Sequence, residues 1–83
     1  MGQSTDKKEH AVERAGKIYK RLSEAARMNE RCPKQSELAE RFSCSTGAIQ
    51  NSFNFLKANG MIEVIETRPR LIIHIVRTGK TTI

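Results

Sequence analysis

At Gly60 the hydrophobic period of the chain changes, and no other feature restricts the fold as much. Before it, apolar residues recur at three- and four-residue spacing; after it, they fall in β-branched runs. Ala11, Val12, Ala15, Ile18, Tyr19, Leu22, Ala25 and Ala26 mark one face of a helix that starts near Asp6 and ends near Met28 and Asn29. Asp6 is placed as its N-cap, with Glu9 completing a capping box. Glu13 precedes Lys17 at the spacing that favours an ion pair. Gly16 costs this helix up to about 1 kcal/mol relative to Ala, and close approach by another element is the plain explanation. Pro33 biases Cys32 away from helical geometry and starts a new element.

Two short helices follow. The first covers roughly 35–42, with Leu38, Ala39 and Phe42 inward and Glu37 facing Arg41 outside. Ser43, Cys44 and Ser45 form a tight corner, and Ser45 is the natural N-cap of the next helix. That helix has Ile49, Phe53 and Leu56 as its inner seam, runs to about Asn59, and closes on Gly60 in a left-handed conformation. Ile62 to Glu66 and Leu71 to Val76 then read as two strands joined by Thr67, Arg68, Pro69 and Arg70. Residues 1–6 and 78–83 are expected to be flexible tails on one domain spanning 7–77.

With 83 residues the chain has room for a single domain. A domain this size buries only about 60–65% of its unfolded surface, so it has little volume for a deep cleft, and an enzyme is disfavoured. Neither a phosphate-cradling glycine loop nor a catalytic signature is present in the sequence. The formal net charge of +6, from 15 Lys and Arg against 9 Asp and Glu, points to a polyanionic partner. No apolar run is long enough to span a bilayer, and the N-terminus lacks a signal or myristoylation pattern, so no membrane association is expected. Cys32 and Cys44 fit a reduced cytoplasmic protein. Neither they nor His10 and His74 have zinc-ligand spacing, and no cofactor or small-molecule ligand is indicated. His74 alternates with Ile73 and Ile75 and so faces the other way. Cys44 reads as a buried small hydrophobe, whereas Cys32, between Arg31 and Lys34, is placed for a lowered thiol pKa.

The outward side of the helix after the corner carries Thr46, Gly47, Gln50, Asn51 and Asn54. Exposed Gln and Asn are usually just solvated. Clustered behind a helix–corner–helix, they are the residue types that read base edges, because an amide can bond adenine through two hydrogen bonds. Phe55 lies off the inner seam; it either covers the junction with the first helix or, with Tyr19, anchors a partner protomer.

Glu37-Leu38-Ala39, the corner Cys44-Ser45, Ile49, Leu56 and Gly60-Met61-Ile62 resemble the signature of bacterial winged helix-turn-helix transcriptional regulators, whose MarR- and GntR-type DNA-binding domains share this skeleton. The resemblance covers about 33–76. It implies an α+β fold, a winged helix-turn-helix of three helices followed by a two-stranded β-hairpin wing. Helix 46–59 would then read the major groove of double-stranded DNA. Lys34, Gln35, Ser45 and Lys57 would meet the DNA backbone, and Arg68 and Arg70 on the wing would reach backbone or minor groove. Edge-strand protection by charge is the plainer role for those arginines. Such regulators usually carry Ser or Thr where Lys34 stands; a lysine cannot accept from helix amides, so that cap is lost, leaving Gln35 or Ser36 to substitute. The implied function is a sequence-specific, nucleoid-associated regulator acting as a repressor, with a homodimer compatible with two half-sites. The alternatives are a winged-helix protein-interaction module and an architectural phage or plasmid factor of excisionase or partition type.

Overall fold

A computed structural model describes residues 2–83, with side chains described from Ala11 onward. Helices α1 (Gly2–Arg27), α2 (Gln35–Arg41) and α3 (Thr46–Ala58) precede strands β1 (Ile62–Glu66), β2 (Ile72–Ile75) and β3 (Lys80–Thr81). The strands form one antiparallel sheet in the order β1-β2-β3. α1 packs on α3 and on β2 and β3, and α2 packs on α3.

α1 begins before Asp6; the expected Asp6–Glu9 capping box involves side chains outside the described residues, as does His10. Its buried face is Ala15, Ile18, Leu22, Ala25 and Ala26. Ala11 and Val12, expected on that face, are exposed, because they lie beyond the edge of the core. No atom of another element comes within 4 Å of a Cβ built on Gly16, so the expected close approach is absent and this glycine carries its helix cost uncompensated.

All three helices end in the same way. Asn29 (φ 56°), Ser43 (φ 53°) and Gly60 (φ 67°) each turn left-handed. In each case the next amide reaches back to the last turn: Glu30 to the Ala25 carbonyl at 2.8 Å, Cys44 to Ala39 at 2.9 Å and Met61 to Leu56 at 2.9 Å. The Ser43 turn ends α2 just before α3 begins. At the start of α3, Ser45 Oγ accepts from the Ala48 amide at 3.1 Å, the expected cap. At the start of α2 the substitution expected from Gln35 or Ser36 does not occur; instead the Glu37 carboxylate accepts from the Lys34 amide at 3.0 Å, and the Lys34 side chain makes no cap bond.

On β1 and β2, Ile62 pairs with Ile75 and Val64 with Ile73, and Ile62, Ile73 and Ile75 are buried beneath the helices. Complete burial of one such side chain contributes about 1.5–3 kcal/mol. The alternation breaks at Ile65, the extra residue of a bulge between Val64 and Glu66, and its side chain is turned out to solvent. The expected two-stranded hairpin with a fraying end is a three-stranded sheet. Thr82 is buried, its amide donates to the Ile73 carbonyl at 2.9 Å, and its hydroxyl accepts from the Ile73 amide at 2.9 Å. The Ile83 amide then bonds the Glu30 carbonyl at 3.2 Å, tying the end of the chain to the α1–α2 loop. His74, which pairs with Thr81, places Nδ1 2.8 Å from the Thr81 hydroxyl and is half-buried rather than free in solvent.

Among the described residues the ion pairs are those of Arg21, with Glu24 at 3.5 Å and Glu30 at 4.0 Å. The expected Glu13–Lys17 and Glu37–Arg41 pairs do not form; Glu37 is drawn back to the Lys34 amide instead.

Candidate nucleic-acid interface

α3 divides cleanly by chemistry. Ile49, Ser52, Phe53 and Leu56 are buried, and Ser52 satisfies its hydroxyl on the Ala48 carbonyl at 3.1 Å. Thr46, Gly47, Gln50, Asn51, Asn54 and Lys57 are all exposed. Gly47, Gln50, Asn54 and Lys57 fall at spacings of three, four and three, so they run in one line down the helix. That line offers donors and acceptors from amides near its middle and a cation at its C-terminal end.

The N-terminal end of α3 suits anions. Ser45 uses its oxygen on the Ala48 amide, which leaves the Thr46 and Gly47 amides in the first turn, beyond the reach of any intrahelical carbonyl. The Ser45 hydroxyl still has its proton to donate. A Cβ on Gly47 would meet only Ser45 Oγ at 3.7 Å, an ordinary contact, so the fold itself does not require glycine there.

Beside this helix an open groove of about 1010 Å³ runs between the α1–α2 loop and the β1–β2 loop. Arg31, Lys34 and Gln35 line one wall, Pro69 and Arg70 the other, and Gln50 borders it from α3. Arg21 also reaches it, so four cations face Glu37 as the one carboxylate along the groove. Glu37 is itself engaged with the Lys34 amide. The two arginines of the β1–β2 loop separate: Arg70 lines the groove, whereas Arg68 is exposed outside it, next to a cis Arg68–Pro69 peptide.

Three side-chain amides connect the groove to the α3 line. Gln35 Nε2 donates to Gln50 Oε1 at 2.8 Å, and Gln50 Nε2 donates to Asn54 Oδ1 at 3.1 Å. Sequence reading missed this chain, because Gln35 and Gln50 are on different helices and no local spacing relates them. It also left Arg31 outside the site, since its place on the groove depends on how the α1–α2 loop folds back, and gave Arg21 only a minor part among the α1 cations.

Two of the expected interface residues divide as well. Tyr19 is half-buried and packs against the core, so little of its ring is available to a partner. Phe55 is 40% exposed, on the flank of α3 away from Lys57. The expected lowering of the Cys32 thiol is reversed. The side chain is buried, and desolvation pushes its pKa from 9.0 up to about 12, against a smaller downward pull from Arg21 and with a further upward push from Glu37. Its Sγ lies 3.4 Å from the Pro33 carbonyl. Cys44 is half-buried against the core.

Among the described residues no group of three or more His, Cys, Asp or Glu is placed to hold a metal ion, and no helix is long and apolar enough to cross a membrane. Comparison with known protein families, with curated proteins and with solved structures finds no match to this chain.

Proposed function

We propose that this chain is a winged helix-turn-helix protein that binds double-stranded DNA sequence-specifically and regulates transcription. α3 enters the major groove, and the loop 67–71 follows the flanking backbone or minor groove. The observation that supports this reading best is one juxtaposition. An exposed line of amides on α3 lies beside a groove edged by Arg21, Arg31, Lys34 and Arg70, while the opposite face of the same helix is fully committed to the core. The amides match base edges, and Arg31, Lys34 and Arg70 match phosphates beside them. The α3 first turn adds backbone donors for a further phosphate.

A domain bound in this way covers its DNA segment, so repression by occlusion is the direct consequence. Selection from a random duplex pool tests the proposal. The expected result is one enriched motif, bound on the order of a thousandfold more tightly than unselected duplex. A pool that stays random through successive rounds would refute it. A palindromic motif would further indicate two copies on two half-sites.

The exposed Phe55 supports a second reading, in which the domain docks on another protein and its charge is incidental. Retention on immobilised duplex at moderate salt separates the two: an interaction module elutes early, a DNA binder late.

A further inference from the structure

The amide chain from α2 to α3 goes beyond a generic DNA-reading surface. We infer that Gln35 is a positioning residue that holds the Gln50 amide in place, and that the base pair facing Gln50 is therefore required to present adenine. This inference rests on the DNA-binding proposal above.

A side-chain amide has two hydrogens on nitrogen and two lone pairs on oxygen. Gln50 uses one lone pair on Gln35 and one hydrogen on Asn54. What remains on its exposed head is one acceptor and one donor, side by side. Adenine presents the complement in the major groove, with N6–H to donate and N7 to accept. Guanine presents two acceptors, cytosine a donor alone, and thymine an acceptor beside a methyl group. Only adenine uses both remaining atoms of Gln50.

The neighbours matter because a lone glutamine head rotates freely about its last bond. Turned over, the Gln50 nitrogen would face the Gln35 nitrogen, and its oxygen would face the Asn54 oxygen. Two donors would then be opposed, and two acceptors. The three heads turn together or not at all. Held in this way, Gln50 cannot swing its NH₂ alone towards the acceptors of guanine without giving up both internal bonds. Gln35 is well placed to enforce this, since it is anchored in the first turn of α2 and half-buried, whereas Gln50 is exposed. Its role is thus to restrict a neighbour, where the sequence pointed to a phosphate contact.

The test uses the complete chain and three proteins: wild type, Gln50→Ala and Gln35→Met. Methionine keeps the length and helix preference of glutamine but cannot donate. Selection with Gln50→Ala identifies the motif position that loses its preference, and competition binding then compares A·T with G·C there. Wild type should favour A·T by on the order of 10- to 100-fold. Gln35→Met should reduce that ratio to about threefold or less, with the dependence on salt unchanged. Because the readout is a ratio between two duplexes, a merely destabilised variant would leave it unmoved. An unchanged ratio in Gln35→Met overturns the inference, and so does weaker binding to every sequence with the ratio kept, which would make Gln35 a phosphate contact. A wild-type motif without adenine at the Gln50 position also overturns it, while leaving the DNA-binding proposal intact. A wild-type protein that enriches no motif removes both.

Discussion

In the proposed DNA-binding role, replacing Lys34 and Arg70 together with alanine should flatten the salt dependence of binding by an amount fixed by the count of cations at the proposed interface. Lys34 and Arg70 stand on opposite walls of the groove. The other exposed cations counted are Arg31 on the groove, Lys57 on α3 and Arg68 on the β1–β2 loop. Arg21 is left out of the count because its guanidinium is already within 4.0 Å of Glu24 and Glu30. With about five phosphates neutralised, log affinity falls with log salt at a slope near ~4.5, and with three it falls at a slope near ~2.7. Between 50 and 200 mM salt that is a loss of roughly 500-fold for wild type and roughly 40-fold for the double variant. Fluorescence anisotropy on one labelled duplex across that range measures both slopes. Both side chains are exposed and neither caps a helix, so melting should be within about 0.5 kcal/mol of wild type. A double variant with the wild-type slope would mean that the groove does not follow a phosphate backbone, and the reasoning from its charge would be wrong.

Other perturbations follow from particular contacts. Gly16→Ala should stabilise the fold by about 0.5–1 kcal/mol and raise the melting temperature by roughly 2–8 °C, since nothing crowds the new methyl group; a lowered melting temperature would contradict this. Gly47→Ala should also fold at least as well as wild type, since the added methyl meets only Ser45 Oγ at an ordinary 3.7 Å, yet weaken binding if α3 enters the major groove as proposed; equal affinity in a titration would contradict close approach of DNA at Gly47. Thr82→Val leaves the buried Ile73 amide without its acceptor and should cost about 1–3 kcal/mol in urea unfolding, whereas no loss would mean that β3 does not hold. The Cys32 thiol keeps its proton in the fold up to about 12 but releases it near 9.0 when unfolded. The unfolded chain therefore binds fewer protons between those values, so stability is full below pH 9 and falls above it by roughly 1 kcal/mol per pH unit. Cys32→Ala should lack that component of the decline, and identical pH profiles would argue against a buried thiol.

What could be read from the sequence was what local chemistry determines. The inner seam of α3, the Ser45 cap and the Gly60 turn all follow from residues within one or two helical turns, and the structure has them where the periodicity predicts. The third strand was missed because Lys80 and Thr81 are polar and short; what holds them is Thr82 on Ile73 and Ile83 on Glu30, contacts between residues far apart in the chain. Gly79 (φ 73°) before two threonines was the available signal for a second hairpin. Asn29 and Ser43 were missed as left-handed caps because residues other than glycine take that role infrequently. For Cys32 the sequence displayed the nearby cations but not the burial that outweighs them. The exposed amide line was legible from helical spacing. The groove beside it was not, because Arg31, Lys34 and Arg70 meet only after the loops fold together.

Amide chemical-shift perturbation on titrating the folded protein with duplex DNA tests the location of the interface most directly. Shifts should concentrate at Thr46 to Asn54, at Lys34 and Gln35, and around Arg68 and Arg70, with Glu63, His74 and Thr81 on the outer sheet face unmoved. Perturbations centred on Phe55 and the α1 surface, with the α3 amide line silent, would contradict the assignment of that line as the surface that meets DNA.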